Sequence, residues 1–162
     1  SEEKGFGVYC RAASLVRAVR PGVDFAAAGP GEVGEAGRSA GVVDLGFLGE
    51  RDKASALAAC ELLCVPSAVE AFGMVYLEAW ASGKPVVAGD SSQVASLVED
   101  GADGFAVQPE PDVVALAVQR LLDDPALGRA MGERGRRKVA ERYRWETVVE
   151  ATIETYREAA GR

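Results

Sequence analysis

The sequence predicts an α/β domain built on a doubly wound parallel sheet. Three observations predict it. Short apolar runs alternate with segments of helical periodicity, the pattern of strands joined by crossover helices. The runs end in Gly, Pro or Ser, residues that turn a chain beyond a strand. The chain has 162 residues, of which 48% are hydrophobic and 27% charged, the size and composition of one soluble domain with its own core.

Taken in order, Lys4 to Arg20 places Phe6, Tyr9, Ala13, Val16 and Val19 at spacings of three and four, an amphipathic helix stopped by Pro21-Gly22. Val23–Ala28 reads as a strand leading into Gly29-Pro30-Gly31, and Val42–Leu48 as a second strand ending at Gly49. Asp52 is placed to cap a short helix reaching Cys60. Leu62–Val65 is a third strand, closed by Pro66-Ser67. Gly73–Ser82 is a helix with Gly83 as its C-cap. Pro85–Ala88 and Gly104–Val107 are the fourth and fifth strands. Helices follow over Asp112–Leu122, Ala126–Arg142 and Trp145–Ala159. Doubly wound domains ordinarily open on a strand, whereas this chain opens on a helix. A first strand is therefore expected to be missing, and the chain to be one domain, residues 1–162, of a longer protein.

Composition narrows the function. The net charge of −7 argues against a nucleic-acid partner, which calls for a basic surface. The absence of His removes His-based triads, His general bases and most zinc sites. Cys10, Cys60 and Cys64 are odd in number and sparse, which points to core packing in a reducing, cytoplasmic setting. No apolar stretch reaches the ~18 residues of a membrane span. The run Arg134-Gly135-Arg136-Arg137-Lys138 reads as a solvated helix face, with peripheral contact to a membrane surface or an acidic partner as the sharper alternative. Trp80, Tyr143 and Trp145 read as packing residues.

In doubly wound sheets ligands bind beyond the carboxyl ends of the strands. The segment Pro66 to Val87 passes through that region as strand end, loop, helix, tight turn and next strand. A helix starting near Gly73 presents free backbone N–H groups, an anion site suited to a diphosphate, and Gly73 admits close approach. Glu70 lies just before this helix and Glu78 about a turn and a half inside it. A carboxylate has two acceptor oxygens and matches a vicinal diol. One glutamate is suited to a ribose and the other to sugar hydroxyls, although two glutamates among 25 acidic residues mean little by spacing alone.

The same segment resembles the signature of glycosyltransferase family 4, retaining enzymes of the GT-B fold: Pro-Ser after a strand, Glu, Phe-Gly, a second Glu followed by Ala, then Gly-x-Pro-Val-Val. Lys4-Gly5-Phe6 is similar to the family's Lys-Gly helix start, Gly29-Pro30-Gly31 to its Gly-x-Gly loop and Phe47-Leu48-Gly49 to its Phe-Leu-Gly. Glu99-Asp100-Gly101 through Gly104-Phe105, and Arg142 to Trp145, extend the resemblance over nearly the whole chain.

The resemblance implies the Rossmann-like C-terminal domain that binds a nucleoside-diphosphate sugar, a substrate rather than a cofactor. Lys4 would contact the donor phosphates, and Glu70 the transferred sugar. The backbone of Phe72, Gly73, Met74 and Val75 would hold phosphate and sugar oxygens, and Glu78 the ribose. The loop Gly49-Glu50-Arg51 would border the base, with the Gly29 and Gly31 loop alongside. No metal would be needed. The acceptor would bind mainly the absent N-terminal domain, toward which the last helix would pack, and this chain alone would be inactive. Where the family often has Gly-Gly-x-Pro-Glu, this chain has Ser92 to Ser96, which weakens any inference about the sugar.

Three rivals remain. Gly29-Pro30-Gly31-Glu32-Val33-Gly34 is formally a GxGxxG, the mark of an NAD-type domain, but the Gly-rich stretch after it is too short for the helix that motif requires. A nucleotide-binding module without turnover is a second. A nucleotide-sugar epimerase is a third, poorly served by a chain without His.

Overall fold

A computed structural model of the protein describes residues 5–69 and 71–161. Its elements run α1 (Phe6–Val19), β1 (Phe25–Ala27), α2 (Gly34–Ser39), β2 (Val42–Asp44), α3 (Glu50–Ala59), β3 (Leu63–Val65), α4 (Met74–Ala81), β4 (Val86–Gly89), α5 (Ser92–Ala95), β5 (Gly104–Val107), α6 (Pro111–Asp123), α7 (Pro125–Arg142) and α8 (Trp145–Ala160). All pairings are parallel. The described ladders form two sheets, β1-β2 and β3-β4-β5, rather than a single one.

The edge of β1 away from β2 meets a side chain of α1. Alternate residues of a parallel strand turn their amides to opposite sides. The Ala27 carbonyl accepts from Leu45 N–H toward β2, so Ala26 faces away from β2, and its carbonyl accepts from the Tyr9 hydroxyl at 2.8 Å. Tyr9 on α1 therefore occupies the edge of β1 that faces away from β2.

Both faces of the sheet layer are covered, as the fold class requires. Successive residues of β4 divide between two cores: Val87 packs with Cys10, Ala13 and Val16 of α1 and Val114 and Val118 of α6, whereas Val86 and Ala88 pack with Tyr76 and Trp80 of α4. This is the period-two alternation of a strand buried on both sides, and all four residues of β4 are buried. The α1 stripe differs from the expected one at its end, where Val19 is exposed. Helix α1 lies on α6, and their ends are tied by an ion pair between Arg20 and Asp123.

Four other expectations are corrected. Strand β2 stops at Asp44 because Gly46 takes a positive φ of 62° and the Asp44 carboxylate accepts the Gly46 N–H at 2.8 Å, closing a turn. Helix α3 starts at Glu50 with Gly49 as its cap residue, and Asp52 lies inside the first turn. Helices α2 and α5 fall where only loop was read. At six and four residues they are too short to show a periodic stripe.

The basic run on α7 is only partly solvated. Gly135 lies against the Trp80 ring and Gly132 against the Gly83 carbonyl, and a Cβ at either would collide. The Lys138 ammonium pairs with the Asp103 carboxylate and stands 4.8 Å from the centroid of the Trp80 ring, whose Nε1–H donates to the Asp103 carbonyl at 2.8 Å. Trp80 packs as expected. Trp145 does not: it is 79% exposed at the start of α8, a helix with no buried residue.

Candidate functional site

The candidate site is built where β3, β4 and α4 meet. Pro66 and Ser67 continue β3 and are buried, with the Ser67 hydroxyl donating to the Val69 carbonyl at 2.6 Å. Gly89, at the end of β4, lies so close to the Ser67 backbone that a side chain there would collide with the Ser67 carbonyl. Gly5 does the same from the other direction. It takes φ 70°, and a Cβ would strike the Pro66 carbonyl. The glycine of the Lys-Gly pair is thus needed to seat the start of α1 against the strand end that leads toward position 70.

Gly73 is the cap residue of α4, in the left-handed region at φ 77°, and a side chain would meet the Tyr76 ring. Tyr76 is fully buried, and its hydroxyl donates to the Val65 carbonyl at 3.1 Å, pinning the first turn of α4 to the end of β3. Gly73 has no side chain with which to cap α4, and the first turn of the helix carries no acidic residue. Its leading N–H groups are therefore suited to an anion supplied from outside. Phe72 and Met74 flank this end and are exposed. Phe72 stands edge-on to Tyr143 at 6.2 Å between centroids, so Tyr143 supports the loop beside the helix start.

Glu78 faces α3. Lys53 Nζ donates to Glu78 Oε1 at 2.7 Å and to Glu50 Oε1 at 3.1 Å. The hydrogen bond to Glu78, and then that to Glu50, hold the ammonium above its ordinary range. One lysine thus joins two residues singled out from the sequence, Glu78 and Glu50. Glu50 and Arg51 are the opening residues of α3 rather than a loop, with Gly49 as its cap. Gly29 and Gly31 follow β1, in the other sheet, where Gly29 N–H donates to the Gly46 carbonyl at 2.9 Å. Lys4 and Glu70, assigned to donor phosphate and sugar, lie outside the described residues.

Sequence reasoning missed Lys53, Tyr76 and Asp44. The Glu50–Lys53 spacing of three on a helix was visible, but nothing in the sequence joins Lys53 to a residue 25 positions away. Asp44 also accepts the Val33 N–H at 3.2 Å, fastening the loop after β1 to the end of β2.

The family model "Glycosyl transferases group 1" matches residues 1–124. The chain is 33% identical to the alpha-D-kanosaminyltransferase of Streptomyces kanamyceticus over 165 aligned residues, covering 96% of this chain and 43% of that protein. It is 35% identical to the MMP alpha-(1->4)-mannosyltransferase of Mycolicibacterium hassiacum over 117 residues, covering 71% of this chain and 28% of that protein. The chain therefore spans less than half the length of these relatives. Among solved structures it is similar to the sucrose-phosphate synthase of Thermosynechococcus elongatus, with a TM-score of 0.87 at 26% identity over 99% of this chain and 43% of that one. It is also similar to HepE of Anabaena in complex with UDP, with a TM-score of 0.86 at 26% identity over 98% of this chain and 46% of that one. The parallel α/β architecture is accordingly that of a GT-B glycosyltransferase domain, as the sequence predicted. The chain belongs to the group 1 glycosyl transferases.

Proposed function

We propose that this chain is the donor-binding part of a retaining, metal-independent family 4 glycosyltransferase, which moves a sugar from a nucleoside diphosphate to an acceptor hydroxyl. The observation that carries this reading is the start of α4 at the left-handed Gly73, with the Glu78 carboxylate part-way along the same helix. A diphosphate on the α4 N–H groups and a ribose diol on Glu78 fit one ligand. That solved HepE complexes contain UDP and UDP-glucose supports the same ligand class.

In this reading Lys4 and the helix terminus stabilise the charge that develops on the leaving diphosphate. Glu70 takes hydroxyls of the transferred sugar, and the start of α3 borders the base. The bond from the anomeric carbon to the phosphate oxygen breaks as the acceptor oxygen bonds to the same face. The acceptor proton passes to the leaving phosphate. The acceptor is held mainly by the rest of the longer protein, and the exposed apolar residues of α8, Trp145, Val149, Ile153 and Tyr156, pack back toward it. The setting is cytoplasmic, with peripheral membrane contact compatible with it. Among the described residues no helix is long and apolar enough to cross a membrane.

A thermal-shift panel of nucleoside diphosphates and their sugars tests the reading, because a ligand that binds only the native state raises its stability. At least one nucleoside diphosphate is expected to raise the midpoint, and Glu78→Ala to abolish most of that rise. Stabilisation by NAD alone would overturn the reading in favour of the dinucleotide alternative. The purified chain is expected to bind donor without transferring sugar.

A further inference from the structure

We propose that Lys53 is a positioning residue for Glu78, holding one carboxylate oxygen so that the second is presented to the ribose diol of a bound nucleotide. The proposal rests on the reading of Glu78 given above and goes beyond it by naming what orients that carboxylate.

Three observations support it. Lys53 comes from α3 and Glu78 from α4, so their 2.7 Å contact fixes the carboxylate against a second helix. A glutamate on a single helix keeps several rotamers, and restricting them before binding removes an entropic cost from the complex. The side chains of Lys53 and Glu78 are 31% and 29% exposed, shielded enough for a defined geometry and open enough for a ligand to reach. Finally, the same ammonium binds Glu50 at 3.1 Å. Without it, the like charges of Glu50 and Glu78 would push the two side chains apart; with it, both carboxylates are held on one cation.

The contact also links the opening turn of α3 to the interior of α4. A nucleotide that engages Glu78 therefore meets a carboxylate whose placement depends on Glu50 and Lys53 together. Lysine suits this role because its three donors serve two carboxylates at once. Arginine can bridge the same pair, whereas methionine retains the stem and removes the charge.

The test compares nucleotides with and without the 2′-hydroxyl on the 162-residue chain. Whichever of UDP, GDP and ADP binds most tightly is titrated beside its 2′-deoxy counterpart by calorimetry. The native chain is expected to prefer the ribonucleotide by about tenfold, the scale of one charge-assisted hydrogen bond. Lys53→Met is expected to bring this ratio close to one while changing the affinity for the deoxynucleotide by less than about threefold. Lys53→Arg restores most of the preference.

Glu78→Gln separates the proposal from the reading beneath it. If Glu78→Gln removes the preference and Lys53→Met keeps it, the positioning role is wrong and the diol reading stands. If Glu78→Gln keeps the preference, the diol reading falls and the role of Lys53 with it. Equal weakening of both nucleotides by Lys53→Met identifies a general charge effect and also overturns the proposal. No binding of any of the three diphosphates by the native chain removes the donor site, and the proposal with it.

Discussion

Helix α4 meets a lysine on two of its sides, and the two meetings differ in their surroundings. Glu78 binds Lys53 of α3, with both side chains about one-third exposed. Two residues on, Trp80 points some 200° around the helix. It is fully buried beneath Lys138 of α7, whose partner Asp103 is 2% exposed and also accepts the Glu99 N–H at 3.0 Å. Both are ammonium–carboxylate pairs. The inner one is largely desolvated and further hydrogen-bonded, Lys138 to the Leu97 carbonyl and Asp103 to the Glu99 N–H. The outer one lies where a ligand can compete for it. The same chemistry thus cements two helices in one place and stays available for binding in the other, according to how much water each pair has lost.

The largest expected effect breaks the inner pair alone. Asp103→Ala leaves the Lys138 ammonium buried without its partner, and a loss of about 3–5 kcal/mol is expected in urea unfolding. Next is Gly135→Ala, which drives a methyl group into the Trp80 ring and is expected to cost about 1–3 kcal/mol. An unchanged urea midpoint in both variants would erase the distinction between the pairs.

A third prediction separates both pairs from the other titrating groups. Burial pushes the Cys64 thiol up to about 12 and raises the Cys10 and Cys60 thiols. Burial, then the neighbouring Cys64 and Cys10, push the Tyr9 hydroxyl above its ordinary range. The unfolded chain releases these protons earlier than the native one, so stability falls as pH rises above the ordinary thiol range near 9. Between pH 7.5 and 10.5 the share of Cys64 is at most about 2 kcal/mol. Cys64→Ala is therefore expected to flatten the drop in urea midpoint across that interval. An equally steep drop in the variant would assign the alkaline loss elsewhere. The smallest expected effect is that of Lys53→Met, which leaves the urea midpoint at pH 7.5 near that of the native chain, because the outer pair is partly hydrated.

What was legible in the sequence follows the range of the forces involved. Strand β4 was readable because four successive residues buried on both faces must all be small or apolar. The helix start near Gly73 was readable from the loop-to-helix pattern, and the left-handed φ there gives a further reason for glycine. Phe72 to Val75 accordingly lie at a helix start, as expected. The partnership of Lys53 with Glu78 was hidden because it exists only once α3 and α4 are side by side. Lys138 was misread for the same reason. On an isolated helix its charge belongs in water, and only the Asp103 carboxylate and the Trp80 ring make its place inside.

The seating of α1 on α6 has a consequence in time. The Arg20–Asp123 tie joins residues 103 positions apart, so α1 leaves the ribosome long before the surface that covers it exists. At ~5–20 residues per second the delay is roughly 5–20 s, far longer than a helix needs to form. Throughout that interval the stripe of Cys10, Ala13 and Val16 lacks its final cover. During synthesis, α1 is therefore made well before it is locked, and its apolar stripe needs protection until α6 has followed it.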